Sequence, residues 1–209
     1  MFLSLAGEDS GSLYTSLVKA KGYRICRNGL VYVGWNPRLI NKGNYFYAFS
    51  HNPIYKLDIP KRTFTVSCFR DPIKRIVSHY SNLTYYRDNN INHPCMKREG
   101  PWLGSGFDDF IQRMPKEHML NQLYMYSSNF DINEAVKRVS ELSYYFFIDD
   151  FDNGINQINK QTGLNLEPIH IRKSDNSVPI AEESMAKLRG MLDDEYEFIG
   201  RIREMQNTQ

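Results

Sequence analysis

Arg70 and Ser78 are the pair of residues in this chain best suited to hold a phosphate. A guanidinium presents a planar fork of N–H donors that matches phosphate oxygens, and a nearby hydroxyl adds another donor. Ser78 follows Arg70 by eight residues, about two turns of helix at 3.6 residues per turn, so both can face one crevice. Asp71 is adjacent, and the same residues also permit a plain Arg–Asp ion pair with no ligand. Two other stretches have phosphate-handling chemistry. Ser10-Gly11-Ser12 is a small polar run ahead of an apolar segment, a layout in which backbone N–H groups and a helix start cradle an anion, or a surface turn with a helix cap. Arg172-Lys173-Ser174 sets two cations beside a hydroxyl, either for phosphate oxygens or as a solvated turn. Among the imidazoles, His51 stands at the end of a short apolar run, where a lone histidine is usually structural; His79 and His118 are the other two candidates for proton transfer.

Arg70 needs a strand to end where it stands. Residues 64–69 are β-branched, aromatic or small and read as a short strand. Pro72 then suits a first helical turn, and Ile73, Ile76, Val77 and Tyr80 recur at helical spacing to about residue 86. Arg70 is therefore expected at the carboxyl end of a buried strand, where open α/β sheets place their ligands. Before this unit the sequence predicts a strand over 1–5, a loop over 7–12, a helix over 13–21, and strands over 23–26 and 30–34 around the Asn28-Gly29 turn. Trp35-Asn36-Pro37 reads as a closing turn, and a strand follows over 45–49. After it, residues 87–105 are rich in Asn, Pro and Gly and read as a long loop, either a functional cover carrying Tyr85, Tyr86, His93, Lys97, Arg98 and Trp102 at its edges or a disordered surface. Helices are expected from 106 to before Pro115, over 118–126 and over 132–142. A second central parallel strand is expected over 144–148, a helix from Asp149 to near Gly163, and one terminal helix over 180–205. The sum is an α/β protein with a parallel sheet flanked by helices, in one domain spanning 1–209.

At 209 residues and 41% hydrophobic content the chain has enough core to fold without disulfides. Basic residues number 26 and acidic residues 24, so the net charge of +2 gives no general attraction to nucleic acid or membrane. Cys26, Cys68 and Cys95 lack metal-ligand spacing, and no metal is expected. No basic leader or long apolar run is visible, which predicts a soluble, cytoplasmic protein.

The segment Arg70-Asp71-Pro72-x-x-Arg75-x-x-Ser78-x-Tyr80 resembles the one with which sulfotransferases hold the 3′-phosphate of 3′-phosphoadenosine 5′-phosphosulfate. Ser50-His51-Asn52-Pro53-Ile54-Tyr55 loosely resembles the Gly-His-x-x-Phe/Tyr context of the catalytic histidine in carbohydrate sulfotransferases. His170-Ile171-Arg172-Lys173-Ser174 resembles the His-x-Arg-Lys-Thr segment of the uronosyl 2-O type, whose loop closes over the nucleotide. Asn121-Gln122-Leu123 resembles an Asn-Leu/Gln segment that helps to shape the acceptor site, and Asp193-Asp194-Glu195-Tyr196 an Asp-x-x-Tyr of the last helix. These matches follow the family's order over roughly residues 45–200.

The resemblance implies a P-loop-like sulfotransferase fold. It implies His51 as general base, Ser10, Gly11 and Ser12 around the 5′-phosphosulfate, and Arg70 and Ser78 on the 3′-phosphate. Arg172, Lys173 and Ser174 would lie on the closing loop, and the acceptor would be a sugar or a small-molecule alcohol. The family's loop carries a lysine where this chain has Asp9 beside Glu8. Arg172 and Lys173 are then the expected source of positive charge. A nucleotide-binding domain without turnover is the second reading. A small-molecule kinase is the third, against which stands the lack of a G-x-x-x-x-G-K-[ST] loop.

Overall fold

A computed structural model describes residues 10–167 and 178–207. Its elements run α1 (Ser10–Lys19), β1 (Arg24–Arg27), β2 (Leu30–Gly34), α2 (Pro37–Lys42), β3 (Tyr47–Phe49), β4 (Val66–Phe69) and α3 (Pro72–Asp88). They continue with α4 (Met96–Glu99), α5 (Phe107–Arg113), α6 (Lys116–Met119), α7 (Asn121–Tyr124), α8 (Ile132–Ser140), β5 (Tyr144–Phe147), α9 (Phe151–Thr162), α10 (Glu182–Met191) and α11 (Asp193–Asn207). The protein is α/β, with small sheets flanked by helices. Its contacts form two compact units, one within residues 1–68 and 141–171 and the other within 69–140 and 172–209.

In the first unit, the Asn28-Gly29 signal produces the expected hairpin. Asn28 (φ 50°) and Gly29 (φ 77°) both adopt left-handed backbone, the requirement of a type I′ turn. β1 and β2 pair antiparallel with Arg24 opposite Val33 and Arg27 opposite Leu30. β3 runs parallel to β2, pairing Tyr32 with Tyr47 and Gly34 with Phe49. β4 and β5 form a separate two-stranded sheet. Among the described residues the strands thus form a mixed three-stranded sheet and a two-stranded one, and the first strand of the expected parallel sheet, over 1–5, lies outside them. At the start of the two-stranded sheet, Thr65 and Ser143 clasp each other: the Thr65 N–H donates to Ser143 Oγ at 3.1 Å, and the Ser143 N–H to Thr65 Oγ1 at 2.9 Å.

The core of this unit gathers Leu17, Tyr32, Phe146, Ile155, Ile158 and Leu166. α9 approaches β5 without a spacer, because a Cβ on Gly154 would come 2.3 Å from the Phe146 ring. α9 closes at Gly163 (φ 72°), a left-handed cap that glycine adopts without a Cβ clash. Two expectations need correction here. Residues 10–12 belong to the first turn of α1, which also ends earlier than residue 21. Trp35-Asn36-Pro37 opens a helix instead of closing a unit: Asn36 Oδ1 caps α2 by accepting from the Leu39 N–H, and Pro37 takes its first position. Six residues are too few to show helical periodicity.

The second unit is helical. α3 buries Ile73, Ile76, Tyr80 and Leu83, and Phe69, Tyr126 and Phe198 meet with ring centroids about 6 Å apart or closer. The stretch 87–105 is no open loop. It folds into α4 and a 3₁₀ turn over Gly100–Leu103, and Leu103 is buried as its anchor. Asp109 Oδ2 then fixes the return by accepting from the N–H and the hydroxyl of Ser105 at 2.7 and 2.8 Å. Two further helices are interrupted. The expected 118–126 helix is the single turns α6 and α7, broken at Leu120 (φ −102°, ψ 43°). The terminal helix is α10 and α11, broken at Leu192, whose side chain is buried. No described helix is long and apolar enough to cross a membrane.

Candidate functional site

The turn between β4 and α3 places Arg70 where the sequence predicted. β4 ends at Phe69, and a side-chain amide pairs with the next residue. The Arg70 N–H donates to Gln122 Oε1 at 2.8 Å, and Gln122 Nε2 donates to the Arg70 carbonyl at 2.9 Å. Asp71 is occupied elsewhere. Its Oδ1 caps α3 by accepting from the Lys74 N–H at 2.8 Å, and its Oδ2 accepts from the Tyr196 hydroxyl at 3.1 Å. Burial, together with this bond to Asp71, raises the Tyr196 pKa. The Arg70 guanidinium, half-buried, is in no ion pair among the described residues. The plain Arg70–Asp71 pair is therefore not formed.

Arg75 makes no side-chain ion pair with Asp71. Its guanidinium donates to the carbonyls of His118, at 3.0 Å, and Met119. It also pairs with Glu195 Oε1 at 3.2 Å. Glu195 is wholly buried and accepts from Gln122 Nε2 at 3.0 Å as well. Burial pushes the Glu195 carboxyl up and the Arg75 guanidinium down, while their mutual attraction opposes both shifts. Glu195 and Gln122 are the supporting residues whose roles sequence reasoning missed. The available signal was a carboxylate inside the apolar stripe of α11, three residues before buried Phe198.

Ser78 lies on α3, half-buried, seven residues after Asp71 and three after Arg75; these intervals keep the three on one stripe of the helix. His79 points into a different cluster. Its Nε2 lies 3.2 Å from Glu99 Oε2, within ion-pair range though not aligned as a hydrogen bond, and its ring stacks on Phe110 at 5.9 Å. The His79 contact holds the Glu99 carboxyl below its ordinary range. Trp102 sits between, edge-on to His118 at 4.8 Å and 6.2 Å from His79. Burial lowers the His118 pKa, against the pull of Glu99. Among the described residues, no His, Cys, Asp and Glu group has the geometry to hold a metal ion.

In the first unit, His51 is an exposed residue just beyond β3, with its ring edge-on to Trp35 at 6.2 Å. Neighbouring atoms strip enough water from that ring to lower its pKa below the ordinary 6.5. Ser10, Gly11 and Ser12 form the first turn of α1, where backbone N–H groups lack helical partners. Arg172, Lys173 and Ser174 lie outside the described residues, as do Glu8, Asp9 and the strand expected over 1–5.

Compared with protein-family models, curated proteins and solved structures, the chain matches none of them.

Proposed function

We propose that the chain is a sulfotransferase with a sulfotransferase-type fold, moving a sulfuryl group from 3′-phosphoadenosine 5′-phosphosulfate to the hydroxyl of a sugar or small-molecule acceptor. One observation carries this reading. Arg70 stands at the end of β4 with both carboxylate oxygens of its neighbour Asp71 engaged by Lys74 and Tyr196. Its charge is thus left for an anion. Arg70 and Ser78 take the 3′-phosphate, while the first turn of α1 offers N–H groups to the 5′-phosphosulfate. Arg172 and Lys173 supply the cation that the Glu8-Asp9 sequence does not.

In the reaction the acceptor oxygen forms a bond to sulfur as the bond from sulfur to the bridging phosphate oxygen breaks. The electron pair stays on the leaving 3′-phosphoadenosine 5′-phosphate, and the acceptor proton passes to His51. The lowered pKa of His51 keeps it neutral near pH 7, the state a base needs. Calorimetry with 3′-phosphoadenosine 5′-phosphate tests the reading. The parent is expected to bind, and Arg70→Ala to lose about ten-fold or more, with Ser78→Ala also weaker. Equal binding by all three proteins removes the clamp. Binding without transfer to any of a panel of alcohols and sugars favours a nucleotide-binding domain, and magnesium-dependent use of ATP a kinase.

A further inference from the structure

We infer that Gln122 is a positioning residue for Arg70, and that Glu195 fixes the orientation in which Gln122 works; this rests on the proposed clamp. A primary amide carries one acceptor and one donor face at about the spacing of a peptide group. Gln122 uses both on the backbone of one residue, and so pairs with it as the backbone of a neighbouring strand would. The guanidinium therefore departs from a backbone held on both sides.

An amide flipped about its last torsion would set oxygen against the Arg70 carbonyl and N–H against N–H. Glu195 forbids that flip, because its Oε1 accepts from Gln122 Nε2 at 3.0 Å and an ionised carboxylate can only accept. The same oxygen is held by Arg75 at 3.2 Å, so the carboxylate cannot swing away without breaking an ion pair. Residues far apart in the chain thus fix one backbone unit, the one that carries the phosphate-binding fork. The consequence is selectivity: the contribution of Gln122 is felt by ligands that carry a 3′-phosphate and not by those that lack it.

The test uses Gln122→Met, similar in length and unable to make either bond, and Glu195→Gln, which keeps an acceptor and loses the charge. Affinities for 3′-phosphoadenosine 5′-phosphate and for adenosine 5′-phosphate are read by calorimetry, and hydrogen exchange at the Arg70 amide is read in the free proteins. Gln122→Met is expected to lower affinity for the 3′-phosphorylated nucleotide about ten-fold, to leave adenosine 5′-phosphate unchanged, and to speed Arg70 exchange. Glu195→Gln should fall between it and the parent on both readouts. Equal weakening of both nucleotides, or Arg70 exchange unchanged in Gln122→Met, overturns the inference. A parent that does not prefer the 3′-phosphate overturns the clamp beneath it, and the exchange rate alone then decides whether Gln122 holds the turn.

Discussion

Arg75 and Glu195 meet at 3.2 Å across 120 residues of chain, and the carboxylate is fully buried. Removing one member of a buried pair leaves the other charge without its partner, a loss of about 3–5 kcal/mol. The Arg75 side chain keeps 21% exposure, which lets water share its charge. Glu195→Ala is therefore expected to destabilise by about 3 kcal/mol, read from urea unfolding. A change under about 1 kcal/mol would mean that the pair is replaced by solvent at little cost.

Asp71 should matter to folding as well as to its neighbour. Its Oδ1 is the N-cap of α3, and loss of such a cap costs about 1 kcal/mol. Asp71→Ala is expected to lower stability by that amount or somewhat more, since the Tyr196 hydroxyl loses its acceptor too. Tyr196→Phe, which spares the cap, should cost less than Asp71→Ala in the same unfolding experiment; the reverse order would assign the larger part to the hydroxyl.

Turnover should report His51 through both size and pH. His51→Ala is expected to reduce kcat by about 10²–10⁴-fold, the range of a general base, with nucleotide affinity unchanged. Because neighbouring atoms strip water from this imidazole and lower its pKa, the base stays deprotonated below the ordinary value. The acid limb of the rate profile should consequently fall below pH 6.5. A limb above that value, or unchanged kcat in the variant, would transfer the role to His79 or His118.

Glu99 gives a stability test with a defined sign. Its folded pKa lies below the ordinary 4.5, chiefly through His79. Folding thus favours the ionised form, and the contribution is complete above 4.5 and lost as pH falls through the lower folded value. Glu99→Gln should be less stable than the parent above pH 4.5, and the difference should shrink as pH falls through the lower folded value. A constant difference across that range would show that packing, not charge, sets the effect.

How far the sequence disclosed this structure depends on the range of the forces involved. The Asn28-Gly29 turn, the β4–α3 turn and the Gly163 cap were legible because each is decided by a few adjacent residues with restricted backbone. α2, α4, α6 and α7 are four to six residues long, shorter than the window in which a helical period emerges. The break at Leu192 was invisible because an apolar residue at a kink has the same spacing as one in a continuous helix. Of the candidate site, the placement of Arg70 just after a strand and of Ser78 on the helix that follows was legible. The engagement of Asp71 by Tyr196, of Arg70 by Gln122 and of Arg75 by Glu195 was not, because each joins residues at least 52 positions apart.

The closeness of Gly154 to Phe146 has a bearing on how this sequence can drift over evolutionary time. With a Cβ only 2.3 Å from the ring, neither position is free to vary by itself. A larger residue at 154 becomes acceptable only after the aromatic at 146 has shrunk, and a smaller residue at 146 opens a hole that 154 is then selected to fill. Descendants of this chain should change the two sites as a linked pair or leave both alone, so a glycine at the one predicts a ring at the other.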